Sequence, residues 1–104
     1  MDNPVGPILR MCDEVDLIAA AIEDDNPDRE IEVIDRGAYV RIHASDRLRV
    51  TAESLKRHLG ESFEIRSLEA IMSSFSGRIH TSSDAVEWSL GARPAAKAGG
   101  RRTS

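Results

Sequence analysis

A chain of 104 residues, 40% hydrophobic and 31% charged, has the composition of one ordinary globular domain and little room for a deep active site. No apolar run approaches the ~18 residues of a membrane span, no charged leader precedes an apolar stretch, and the single Cys12 can form no internal disulfide, so a reducing cytoplasm is expected. Fourteen Lys and Arg face eighteen Asp and Glu, but Arg93, Lys97, Arg101 and Arg102 crowd the last dozen residues; without those four, residues 1–92 hold ten bases and eighteen acids, a net of −8 that repels phosphate backbones.

In chain order the first element is "VGPILRM" (5–11), a β-branched, apolar run in which Pro7 points to a strand end, an edge or a bulge. Asp13 is placed to cap a helix, with Asp16 near its positive end. Val15, Ile18, Ala19 and Ile22 then follow the i, i+3, i+4, i+7 spacing of one helical face, and "DDNP" (24–27) stops the helix. A meander is expected next. "EIEVID" (30–35) and "AYVRIHA" (38–44) flank a turn at Arg36 and Gly37, and "RLRV" (47–50) follows a second turn at Ser45 and Asp46. Alternation sends Val40 and Ile42 inward and Tyr39, Arg41 and His43 outward, while Leu48 and Val50 oppose Arg47 and Arg49.

Thr51 caps a second helix, "AESLKRHL" (52–59), which Gly60 closes. "FEIRSLEAIMSS" (63–74) reads as a strand piece followed by a helix from about Ser67. A last hairpin pairs "SFSGRIHT" (74–81) with "AVEWSL" (85–90), where Val86, Trp88 and Leu90 share a face. The fold class is therefore α+β, with mostly antiparallel sheet, two to three helices and the order β-α-β-β-β-α-(β/α)-β-β. Residues 1–90 form the domain, and the Ala, Gly, Arg and Ser of residues 91–104 read as a disordered basic tail.

The chemistry-bearing residues do not assemble into a catalytic or cofactor motif. "AYVRI" (38–42) approaches the aromatic strand of RNA-recognition domains, but Arg36 and Gly37 sit one residue too close, the first aromatic is missing and Ile42 replaces the last. Of the other aromatics, Phe63, Phe75 and Trp88 lie in apolar settings expected to be core. His43, His58 and His80 fall on three elements with no ligand-type spacing to one another or to Cys12, and no acid has a histidine three positions on. No nucleophile elbow, phosphate loop or dinucleotide fingerprint occurs. Cys12 lies at the start of the first helix among Asp13, Glu14 and Asp16, which oppose a thiolate, so a buried structural thiol is expected. The acid-rich "EDDNPDRE" (23–30) lacks calcium-loop spacing. What remains is a binding or regulatory module without catalytic residue, metal or cofactor, a small-molecule sensor being the alternative.

Three motifs in order, "VGPILR", "DNPDREIEVIDRGAYVRI" and "SFSGRI", resemble the small effector, or coupling, proteins of soluble bacterial di-iron monooxygenases, most nearly those of four-component toluene and alkene or isoprene systems. The resemblance spans about residues 3–90. It implies a non-catalytic protein that binds a multisubunit hydroxylase near its di-iron site and tunes turnover, specificity and coupling. It also implies a docking surface that overlaps that of a Rieske-type ferredoxin, with neither nucleic acid nor membrane as partner. Only four residues precede "VGPILR", so a long ordering arm like that of the methane-oxidising branch is not expected. The hydroxylase-contact residues expected are Asn3, Gly6, Pro7 and Arg10 in the leading segment, Arg36, Tyr39, Arg41 and His43 on the hairpin, and Ser74 and Ser76 on the late strand.

Overall fold

A computed structural model describes residues 3–90 of the chain, so the expected basic tail at 91–104 lies outside the described residues. The order is β1 (Pro4–Arg10), α1 (Val15–Asp25), β2 (Glu32–Asp35), β3 (Tyr39–Ser45), β4 (Arg47–Thr51), α2 (Ala52–Leu59), α3 (Ile65–Ile71), β5 (Met72–Ser76), β6 (Arg78–Thr81) and β7 (Ala85–Ser89). The strands form two antiparallel sheets, a four-stranded one ordered β2-β3-β1-β5 and a three-stranded one ordered β4-β7-β6. The α+β class holds, with three helices.

The expected meander ends at β3. Alternation places Leu48 and Val50 in the core and Arg47 and Arg49 outside, as expected, but β4 pairs with β7 rather than with β3. The chain changes sheet at Asp46, whose φ of 70° turns the backbone sharply. The expected strand 74–81 is likewise two strands in different sheets, divided at Gly77. A Cβ on Gly77 would lie 2.5 Å from the Ser89 carbonyl oxygen and 2.7 Å from Val5 Cγ1, at a φ of 91°, so only glycine permits this crossing. The Asp46 corner is braced from both ends of the domain: its N–H donates to the Asn3 carbonyl at 3.0 Å, and its carbonyl accepts from the Leu90 N–H at 3.1 Å.

Pro7 also departs from expectation, because β1 is an interior strand with β3 on one side and β5 on the other. Val5 pairs with Ala44 and Ile8 with Arg41, while Gly6 and Pro7 have no ladder partner in β3. The proline's missing N–H is accommodated by interrupting one ladder without changing its register.

α1 begins at Val15 after Glu14, and Asp13 does not cap it. Its buried residues are Val15, Ile18, Ala21 and Ile22, with Ala19 only half-buried. At its end Asn26, itself buried, acts as a strand residue would against β4: its Nδ2 donates to the Ile22 and Arg49 carbonyls, both at 2.6 Å, and its Oδ1 accepts from the Arg49 N–H at 3.2 Å. Asp25 accepts from the Thr51 N–H and hydroxyl and from the Ser54 hydroxyl. Thr51 in turn caps α2 by accepting from the Ser54 N–H, and Gly60 ends that helix. No strand precedes α3, which starts at Ile65 through a reciprocal Glu64–Ser67 capping box; the apolar run of this segment that is strand follows the helix, as β5.

One core joins both sheets and the three helices. It contains Val5, Leu9, Ile18, Ile22, Val40, Ile42, Leu48, Leu55, Leu68 and Trp88. Trp88 is fully buried, as expected, and Phe63 packs against this core half-buried. Leu90 lies beyond β7 and is exposed, so it does not share the inward face of Val86 and Trp88.

Candidate docking face

The face of the four-stranded sheet turned away from Val40 and Ile42 can be built row by row from the register. Ile34, Arg41, Ile8 and Ser74 stand side by side across β2, β3, β1 and β5, and Tyr39 stands beside Arg10 in the neighbouring row. Arg10, Tyr39, Arg41 and Ser74 are exposed, while Ile8 and Ile34 are half-buried between them. Adjacent strands lie ~4.8 Å apart, so these rows make a continuous surface with an apolar floor, one tyrosine and guanidinium groups.

Local chemistry fixes each part. Gly37, at a φ of 82°, turns the β2–β3 hairpin, and Asp35 Oδ1 accepts its N–H at 2.8 Å. The Arg36 N–H donates to the Tyr39 carbonyl, which leaves the Arg36 side chain exposed at the rim. Arg10 Nη2 donates to the Ala70 carbonyl at the end of α3. On β5 the register slips by one residue between the partners of Ile8 and Leu9, and the Ser73 hydroxyl donates to the Ile8 carbonyl at 3.1 Å. Among the described residues the ion pairs are Arg47–Glu87, Arg57–Asp24, His58–Asp24 and Arg66–Glu64. Arg10, Arg36 and Arg41 belong to none of them, and Glu32, two residues from Ile34 on β2, is an acid on the same side.

Of the ten expected contact residues, Arg10, Tyr39, Arg41 and Ser74 share this face and Arg36 borders it. Ser76 lies farther along β5, half-buried opposite Gly6. Asn3 is exposed but braces the Asp46 corner, its Nδ2 donating to Asp46 Oδ1 at 3.4 Å. The other three do not lie on this face. Gly6 and Pro7 are buried, because the interior position of β1 covers them on both sides. A Cβ on Gly6 would collide with the Ile42 carbonyl oxygen and lie 2.9 Å from Leu48 Cδ2. His43 is 5% exposed rather than outward-facing. Alternation breaks there because His43 and Ala44 are both buried, so both sides of β3 are covered where Arg29 Nη1 ties the α1–β2 loop to the Ser45 carbonyl at 2.7 Å. Burial and, secondarily, Arg41 lower the pKa of His43 from its ordinary 6.5, against an opposing pull from Glu32.

Sequence reasoning also missed Ile8 and Ile34 as the floor of the face, although the parity of Arg41 in its strand could have suggested them once strand partners were known. Phe75, expected in the core, is 41% exposed opposite Pro7, on the other side of edge strand β5 from Ser74. Cys12 is half-buried, and desolvation, with the Glu14 side chain adding to it and the Glu14 and Val15 backbone opposing, raises its pKa, which disfavours the thiolate. Among the described residues no three His, Cys, Asp or Glu side chains gather as metal ligands, and no helix is long and apolar enough to cross a membrane. The concave surfaces are open polar grooves, one of about 430 Å³ lying between the 25–29 turn and the second sheet. Such an arrangement offers binding by surface complementarity.

Known proteins share this pattern. The MmoB/DmpM family model matches residues 3–89. The chain is 44% identical over 87 residues to an alkene monooxygenase system effector subunit from Xanthobacter autotrophicus, covering 84% of this chain and 86% of the relative. Chains solved in phenol hydroxylase–regulatory protein complexes superimpose with TM-scores of 0.72 at 24% identity and 0.65 at 26% identity, covering 86% and 83% of this chain and all of each of those chains. The soluble methane monooxygenase regulatory protein B has the same fold, with a TM-score of 0.62 at 22% identity over 86% of this chain and 66% of its own.

Proposed function

The chain belongs to the MmoB/DmpM family, and on that footing we propose that it is the effector subunit of a multicomponent monooxygenase and docks its hydroxylase through the outer face of the four-stranded sheet. The observation carrying the docking assignment is the row Ile34–Arg41–Ile8–Ser74 with Tyr39 beside Arg10, an aromatic and arginine surface on an otherwise acidic domain. Tyrosine and arginine are the side chains that most often dominate binding energy at interfaces. Its partner is the multisubunit component that holds a di-iron centre, and the pair works in the cytoplasm. The effector supplies no reacting group. It acts by binding one conformational state of the hydroxylase better than another, which shifts the population toward the state that couples electron delivery to hydrocarbon oxidation. A Rieske-type ferredoxin competes for the overlapping hydroxylase surface.

The test is reconstitution. Tyr39→Ala is expected to weaken hydroxylase binding about ten-fold or more, and Arg41→Glu to weaken it further, both with reduced product per NADH consumed and unchanged melting temperature. A wild-type effector that leaves turnover, regiospecificity and coupling of the hydroxylase unchanged sinks the reading. Ferredoxin that binds the hydroxylase equally well with and without saturating effector removes the competition.

A further inference from the structure

The outer face of the three-stranded sheet carries a second patch. Its register puts Arg47, Ser89 and Arg78 in one row and Arg49, Glu87 and His80 in the next, across β4, β7 and β6. Arg47, Arg49, Arg78 and His80 are exposed. Glu87 stands among them and pairs with Arg47 at 3.3 Å, and Asp25 and Asp28 line one groove with Arg47, Arg49 and His80; Arg49 and Arg78 have no salt-bridge partner among the described residues. With neighbouring strands ~4.8 Å apart and alternate residues ~6.8 Å apart, the three guanidinium groups stem from a patch about 10 Å across. Meanwhile residues 13–30 carry eight acids and the single base Arg29. The acidic helix and loop thus meet the arginine-bearing sheet face at that groove, and Arg78, on the far strand, lies outside the groove's lining.

On the effector reading given above, we infer that this face meets a carboxylate-rich surface of the hydroxylase beside the first-sheet contact and steers the two proteins together. The patch is continuous in the chain with the docking face. β3 passes into β4 through Asp46 alone, and β5 into β6 through Gly77 alone, so Arg47 and Arg78 each lie two positions after the last residue of a strand of the docking sheet. A sheet face presenting guanidinium groups suits protein carboxylates, to which arginine donates two parallel hydrogen bonds. A nucleic acid is disfavoured by the −8 charge of residues 1–92. Charges beside an anchored contact act mainly on the encounter rate rather than on the lifetime of the complex.

The experiment is stopped-flow association of dye-labelled effector with its hydroxylase, comparing wild type with the double variant Arg49→Glu/Arg78→Glu and the neutral Arg49→Gln/Arg78→Gln, each checked for an unchanged melt. The charge-reversed protein is expected to associate about ten-fold more slowly at low salt, with dissociation changed less than about two-fold, the neutral variant in between, and the difference gone near 0.5 M salt. Association that is unaltered in both variants, or a change confined to dissociation, overturns the inference while leaving the effector reading intact. So does salt-sensitive binding of wild type to duplex DNA that both variants lose. Failure of wild type to bind the hydroxylase at all sinks the effector reading, and this inference with it.

Discussion

A methyl group on Gly6 has nowhere to go, because its backbone sits at a φ of 143° against the Ile42 carbonyl oxygen and Leu48 Cδ2. Gly6→Ala is therefore expected to cost about 3 kcal/mol or more, by combined backbone strain and overpacking, read as a drop in urea midpoint. A midpoint within error of wild type refutes that geometry. His43 presents the opposite problem, a titratable ring in a place built for a neutral one. Its Nε2 has no hydrogen-bond partner among the described residues, burial and Arg41 lower its pKa, and Glu32 only partly offsets them. Between the lowered folded value and 6.5 the unfolded chain binds more protons than the folded one. Stability is thus full above about pH 6.5 and falls as the pH drops through that interval. His43→Leu, which removes the titration without orphaning a partner of Nε2, is expected to flatten the stability difference between pH 7.5 and pH 5.5. An undiminished slope would locate the acid sensitivity elsewhere.

Elements are held together here by two side chains at the end of one helix. Asn26 satisfies the Ile22 carbonyl and both backbone groups of Arg49, so Asn26→Ala leaves several groups unpaired and is expected to cost about 2–4 kcal/mol in a denaturant melt. A loss below about 0.5 kcal/mol would mean that water replaces those bonds fully. This clasp also marks the limit of what sequence alone conveys. The Asn-Pro stop, the Thr51 cap and the Gly60 terminus were legible because they depend on neighbours within a few residues. Nothing local said that Asn26 would serve as the edge partner of β4. Likewise, alternation told which side chains of β4 point inward, but not that the strand would leave β3 for β7, since pairing is decided by contacts 34 to 42 residues away. Pro7 misled for the same reason: its missing N–H disfavours a ladder, and only the fold reveals that an interior strand skips one ladder locally.

At the scale of the whole molecule, the outer face of the four-stranded sheet combines what sequence could and could not convey. Tyr39 and Arg41 were legible as outward residues of one strand, and Arg10 and Ser74 join them only because β1 lies between β3 and β5. His43, of the same parity, is lost to burial. Because Tyr39 and Arg41 are exposed and outside the core, their alanine variants should separate binding from folding, whereas Gly6→Ala and Asn26→Ala should lower stability first. The corner at Asp46 carries a different consequence. Asn3 and Leu90, the first and last of the described residues, both bond to this one residue, which sets them within about two strand spacings, ~10 Å, of each other. The domain is therefore nearly a closed ring. A circular permutant that links residue 90 to residue 3 through about five Gly and Ser residues and opens at the exposed Gly60–Glu61 bond should fold with a cooperative melt. Its new ends would then be free to carry fusions at the α2–α3 loop instead of at the braced corner.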